Sequence, residues 1–198
     1  PFLKKTVLKS ESRRTQNAEL KYAKLYDYVI FVSNNETYEL NHRLNQKKAI
    51  TIPLGIDYSY FDEFSSVPKE KGALAFLGNM KVSANVDSLN LIVTEVLPKL
   101  QNDIKLYIIG TCSENLKKQF SDPRLIFCGM VEDVRPILGK CEVFLSPIAY
   151  GTGIKTKILE AMALGLPVVT NSVGIEGIAG ISGKHCLVSD DNKTLAEY

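Results

Sequence analysis

Apolar positions along this chain cluster into short blocks separated by polar, helix-like stretches. "ALAFLGNM", "IKLYIIG", "RLIFCG", "EVFLSP" and "PVVTN" are near-continuous apolar runs of strand length. Runs of that kind suit strands buried on both faces. Between them lie "ANVDSLNLIVTEVLPKL", with Pro98 near its end, "SENLKKQF", "VEDVRPILGKC" and "GIKTKILEAMALG", all with helical spacing. "HCLVS" predicts a last short strand and "NKTLAEY" the start of a helix. Strands alternating with helices at this spacing predict βαβ units and an α/β fold whose parallel sheet is covered on both faces.

The beat is less regular before residue 73. Residues 1–26 are polar, with apolar Leu20, Ala23 and Leu25, and predict a helix. "YVIFVS" (Tyr28–Ser33) predicts a strand, Ser33 or Asn34 a cap for the helix "NETYELNHRLNQ", and "KAITIP" a second strand,. "LGIDYSYF" reads as a turn and "DEFSSVPKEKG" (Asp62–Gly72) as the most linker-like stretch,.

Composition narrows the picture modestly. The 198 residues are 45% hydrophobic and 23% charged, with a net charge of +2, so a substantial core fits and no concentrated basic face for nucleic acid is implied,. Cys112, Cys128, Cys141 and Cys186 are widely spaced and His42 and His185 lie far apart, which argues against a metal site,. The expected role of the cysteines is that of small apolar residues in a reduced, cytoplasmic setting. No apolar run approaches the ~20 residues of a membrane helix. The opening "PFLKK" without an initiator Met reads as a piece of a longer protein.

In a parallel sheet, ligands bind beyond the carboxyl ends of the strands. That rule selects the loops 78–81, 110–112, 129–131, 146–153 and 171–177. The dinucleotide fingerprint, the P-loop and the nucleophile elbow are all absent. The richest segment is "GTGIKTKILEAMALGLPVV" (Gly151–Val169). For a helix starting near Gly153, Ile158, Leu159, Met162 and Ala163 share the face that meets the sheet, while Thr156, Lys157 and Glu160 fall opposite. Glycines free the backbone amides at the helix entrance, and Lys155 and Lys157 add positive charge. A diphosphate at the turn, with a hydroxyl-bearing group on Glu160, accounts for these residues together. A surface helix with a Lys157–Glu160 ion pair worth ~0.2–0.5 kcal/mol accounts for them equally well.

Several blocks together resemble the C-terminal, donor-binding half of GT-B glycosyltransferases of the large retaining group 1 family. They are "YDYVIFVSNNETYEL", the hinge-like "ITIPLGIDYSYF", "LAFLGNMKVSANVDSL", "FCGMVEDVRPILGKCEVFLSP" and "KILEAMALGLPVV". The resemblance runs from about residue 20 onward. It implies a Rossmann-like three-layer αβα domain at 53–198. Residues 1–52 would then be a short helix/strand remnant of the partner domain with the hinge.

It also implies transfer of a sugar from a UDP-, GDP- or ADP-linked donor to a glycan, lipid or other acceptor, without cofactor or metal. Glu160 matches the second glutamate of the family's E-x7-E pattern, which holds the ribose. Gly153 matches the glycine after the first glutamate, Met130 and Val131 the base-lining segment, and Val173–Gly177 a loop near the donor. Three positions depart from the pattern: Thr152 replaces the first glutamate, and Asn79 and Ala84 stand where an Arg/Lys pair neutralises the leaving diphosphate. The expected diphosphate and sugar contacts are therefore Gly78, Asn79, Thr152, Gly153, Ile154, Lys155, Thr156 and Lys157. In this reading the "GIKTK" lysines take over the missing charges, Lys155 first and Lys157 second.

No catalytic residue is expected in this half. The acceptor domain would be the missing N-terminal half, so the piece should bind nucleotide without turning over. Peripheral membrane association through that half stays open. A non-catalytic nucleotide-binding or scaffolding module, or another GT-B enzyme such as a nucleotide-sugar epimerase, is the alternative.

Overall fold

In the computed structural model, which describes residues 2–198 and side chains from Lys5 onward, the chain divides into two units. One ends at Leu54 and the other spans Gly55–Tyr198. The first contains helix α1 (Phe2–Ala23), strand β1 (Val29–Phe31), helix α2 (Asn34–Leu44) and strand β2 (Ala49–Thr51). β1 and β2 pair in parallel, Val29 opposite Ala49. α2 begins after Ser33 because that residue stays extended and its hydroxyl accepts from the Asn35 N–H,. Ala23, Leu40 and Ala49 form the core of this unit.

The second unit runs α3 (Tyr58–Asp62), β3 (Ala73–Leu77), α4 (Ser83–Leu91), β4 (Lys105–Ile109), α5 (Glu114–Lys117), β5 (Leu125–Gly129), α6 (Arg135–Lys140) and β6 (Val143–Ser146). It continues with α7 (Thr156–Ala163), β7 (Val168–Thr170), α8 (Ser172–Ile175), β8 (Leu187–Val188) and α9 (Asn192–Glu197). All six strands are parallel, in the order β5-β4-β3-β6-β7-β8. Alternate residues of the strands feed opposite cores. Ala73, Ala75, Phe144 and Val168 pack with Phe61, Leu138, Ile158 and Ala161, from α3, α6 and α7. Leu74, Phe76, Leu145 and Val169 pack with Leu89 and Leu195, from α4 and α9. Both faces are thus covered, as a parallel sheet requires, and the result is the expected three-layer α/β fold.

Several boundaries depart from the sequence pattern. "LGIDYSYF" is not only a turn: Asp57 accepts from the Tyr60 N–H and starts α3,. The linker-like Asp62–Gly72 lies inside the second unit, stitched to it by Glu70 N–H to the Lys140 carbonyl (2.8 Å) and Lys69 Nζ to the Gly139 carbonyl (2.7 Å). The polar residues there serve tertiary bonds, which a composition signal cannot separate from solvation. Beyond α4 the helix widens into a π turn over Ile92–Val96 and tightens at Leu97–Lys99, where Pro98 has no N–H to donate,. α6 starts only at Arg135, after the Asp133 carboxylate has taken the Arg135 N–H. α7 starts at Thr156, three residues later than the glycine pattern suggests, and the short α8 was not expected from the sequence.

All four cysteines are free thiols. Cys141 and Cys186 are buried, and burial pushes the Cys141 thiol up to about 12. Among the described residues no helix is long and apolar enough to cross a membrane, and no group of three or more His, Cys, Asp or Glu could hold a metal ion.

Candidate functional site

The strand order reverses between β3 and β6, which pair directly through Leu74–Val143 and Ala75–Phe144. From β3 the chain builds outward through β4 to β5, and from β6 through β7 to β8. The loops at the carboxyl ends of β3 and β6 therefore diverge and leave a crevice at the switch point.

The first loop is assembled from backbone. Gly78 N–H donates to the Ile109 carbonyl and Met80 N–H to the Thr111 carbonyl, both at 2.9 Å. A Cβ on Gly110, whose φ is +128°, would run into the Gly78 carbonyl oxygen, so glycine there lets the loops after β3 and β4 lie against each other,. Asn79 closes the turn by accepting from the Lys81 N–H at 2.9 Å.

The second loop is held by side chains of other elements. Asn171 accepts from the Ile148 N–H and donates to the Ile148 carbonyl. Ser88 accepts from the Ala149 N–H at 3.0 Å. The Tyr150 hydroxyl bonds Ser83 Oγ at 2.9 Å and Asp87 Oδ2 at 2.8 Å, both on α4. Beyond these anchors Gly151 (φ +128°) and Gly153 (φ +81°) turn the chain into α7, with open space where a Cβ would stand on either. Lys155 precedes the helix and no side chain caps α7, so its first amides are not taken by a cap,.

The two lysines part company at this turn. Lys155 Nζ folds back onto the Gly153 carbonyl at 2.6 Å, with the Gly151 carbonyl at 3.4 Å. Lys157 does not take the outer side that helical geometry assigned to it. Its Nζ reaches the end of β3, donating to the Leu77 carbonyl at 2.9 Å and to Asn85 Oδ1 at 3.2 Å, and lies 5.0 Å from the Phe76 ring. A first-turn side chain on a helix leans back toward the N-terminus, and here that direction leads into the crevice. Burial, then the charge of Lys155, pulls the Lys157 ammonium down to about 8. Burial also lowers Lys155, partly offset by Glu176. Glu160, one turn further along α7, is half-buried, and burial raises its carboxyl. No ion pair joins Lys157 and Glu160 among the described residues, so the surface-pair reading of this helix loses its basis.

The structure thus ties Lys157 to the end of β3 beside Gly78 and, through Asn85, to Asn79, and ties Lys155 to Gly153, with Glu160 on the same helix as Lys157. Thr152 and Thr156 are exposed and Ile154 is half-buried along the turn. Met130 and Val131 follow β5, two strands from β3; Met130 is 80% exposed and Val131 packs on the core. Sequence reasoning passed over Asn85, Tyr150, Ser83 and Asp87. For the three on α4 the available signal was the polar residues in the first turns of a helix that buries only Ser88 and Leu89.

A model of the family "Glycosyl transferases group 1" matches residues 71–198. Among curated proteins, a Klebsiella pneumoniae "uncharacterized 44.6 kDa protein in cps region" is 28% identical over 186 residues, covering 87% of this chain and 46% of the relative. The putative teichuronic acid biosynthesis glycosyltransferase TuaC of Bacillus subtilis is 24% identical over 169 residues, covering 79% of this chain and 41% of the relative. The chain therefore spans less than half the length of these two relatives. Among solved structures, Anabaena Alr3699/HepE in complex with UDP and glucose superposes with a TM-score of 0.73 at 14% identity, covering 91% of this chain and 55% of the other. That likeness establishes the fold as the one the GT-B resemblance implied.

Proposed function

The chain belongs to the group 1 glycosyl transferases, and we propose that its Gly55–Tyr198 unit holds the nucleotide-sugar donor of a retaining, metal-independent glycosyltransferase. The observation that carries this reading is the pair of ammonium groups at the switch point, the half-buried Lys155 and the largely buried Lys157, which bond only neutral oxygens. A largely buried Lys157 with the charge of a half-buried Lys155 beside it forms a site that favours an anion, and the lowered pKa of both ammonium groups expresses that cost,.

In this reading the diphosphate lies between the Gly78–Asn79 backbone and the turn Thr152–Thr156. Lys155 and then Lys157 take up the negative charge that develops as the sugar leaves, which is the main catalytic contribution open to such a site. Glu160 accepts hydrogen bonds from the ribose diol, and Met130 and Val131 line the base. The acceptor and the facing wall of the cleft come from an N-terminal domain, of which residues 1–52 are the remnant with the hinge. The piece then binds donor without turnover. The UDP and glucose in the Anabaena protein support a nucleotide-hexose donor. The capsule-region and teichuronic acid relatives support a role in polysaccharide biosynthesis.

Calorimetry with UDP, GDP, ADP and CMP in EDTA tests this. Saturable binding of one diphosphate, lost in Glu160→Ala, is expected; no binding by any of them overturns it. Asn79, Ala84 and Thr152 favour a second reading, a non-catalytic binding module. Binding retained in the full-length protein, with no sugar transfer or donor hydrolysis, would establish that reading instead.

A further inference from the structure

Three other partly buried cations in this unit sit against carboxylates, Arg124 against Asp122, Arg135 against Asp133 and Lys117 against Glu114, each at 2.7 Å, whereas Lys155 bonds only backbone carbonyls. Lys157 is also enclosed, yet its partners are a backbone carbonyl and a side-chain amide. That amide belongs to Asn85, on the first turn of α4. While Asn85 Oδ1 accepts from Lys157 at 3.2 Å, its Nδ2 donates to the Asn79 carbonyl at 3.0 Å. The orientation is fixed by chemistry, since a flipped amide would set N–H donors against the ammonium and an oxygen against the carbonyl. Gly78 is part of the same fit: a Cβ there would stand 2.9 Å from Asn85 Cγ.

We propose that Asn85 is a positioning residue of the donor site, pinning Lys157 at the end of β3 with a neutral acceptor so that its charge stays uncompensated for the diphosphate. The inference rests on the donor-site reading above. An aspartate of the same shape would lose the bond to Asn79 and pair with Lys157, converting a binding cation into an internal ion pair. The selection of amide over carboxylate is therefore functional, because the carboxylate would relieve a buried charge that the amide leaves standing.

The test measures affinity between pH 7 and pH 9 for whichever of UDP, GDP and ADP the chain binds most tightly. It compares the wild type with Asn85→Asp, Lys157→Gln and the double variant, with thermal melting alongside. Asn85→Asp is expected to weaken binding at pH 7 by about tenfold, the scale of one charge-assisted contact. It should also abolish the fall in affinity above pH about 8 that free Lys157 imposes on the wild type. On the Lys157→Gln background the same change should leave the pH profile where it is. A pH profile unchanged by Asn85→Asp, or an equal loss with and without Lys157, overturns the positioning role while the donor site stands. A wild-type chain that binds none of the three overturns both. If Asn85→Asp melts early, Asn85→Ser, which shortens the acceptor without adding charge, replaces it. It should weaken binding only where Lys157 is present, and an equal loss on Lys157→Gln overturns the proposal.

Discussion

Residues Gly78–Lys81, after β3, are fastened mainly by their own backbone to β4 and its loop, with one side-chain bond from Asn85 to the Asn79 carbonyl. Residues 148–155, after β6, are fastened by side chains reaching in from α4 and from Asn171. The first loop brings bare backbone close to the crevice and no engaged cation. The second brings glycines, two ammonium groups and the start of a helix. One loop supplies approach and the other supplies charge. Asn79 and Ala84 remain neutral on the β3 side, where Lys81 is exposed, so the proposed anion site draws its buried charge from the α7 side. Lys157 spans the two, rooted in α7 and ending at the Leu77 carbonyl.

The division can be broken most directly by removing the charge. Lys155→Ala with Lys157→Ala should weaken nucleoside diphosphate binding about 100-fold or more by calorimetry, from two lost charge-assisted contacts. Unchanged affinity would mean that the α7 turn is not the anion site.

Next in size is pH. Lys157 carries its charge below its folded value of about 8 and loses it above. An anion prefers the charged form, so wild-type affinity should be flat up to about pH 8. It should then fall by up to about tenfold per pH unit, until the raised value of the bound state is reached. Affinity that rises across this window would contradict the assignment.

Glu160 sharpens the comparison by separating ribose from phosphate. Glu160→Gln should weaken UDP, or whichever nucleotide binds, by about tenfold, and leave inorganic pyrophosphate unaffected in a competition assay. Equal losses for both would place Glu160 beside the phosphates instead. The smallest effect belongs to the anchor. Tyr150→Phe removes the bonds to Ser83 and Asp87 and should cost about 1 kcal/mol of stability or less, read as a small drop in Tm,. A few-fold weaker affinity should accompany it as the turn loosens. A large loss of stability would show that the hydroxyl supports the core rather than the turn.

The αβ alternation, the parallel sheet and the Ser33 cap were legible in the chain because each is written in local spacing. Short apolar runs such as "IKLYIIG", too brief for a buried helix, suit a strand covered on both faces, and a serine before a helical run offers its hydroxyl to the next turn. The concentration of glycine, lysine and glutamate between Gly151 and Glu160 was legible as composition. Its geometry was not. Helical periodicity put Lys157 on the outer side, since it refers each side chain only to its own axis. The direction the side chain takes is decided by the Leu77 carbonyl and Asn85, respectively 80 and 72 residues away in sequence. The same holds for Asp62–Gly72, which reads as a linker until Glu70 and Lys69 meet α6. Local pattern determined which elements form and where the polar residues gather. Which oxygens meet a buried ammonium, and whether they carry charge, was settled only when β3, α4 and α7 converged at the switch point.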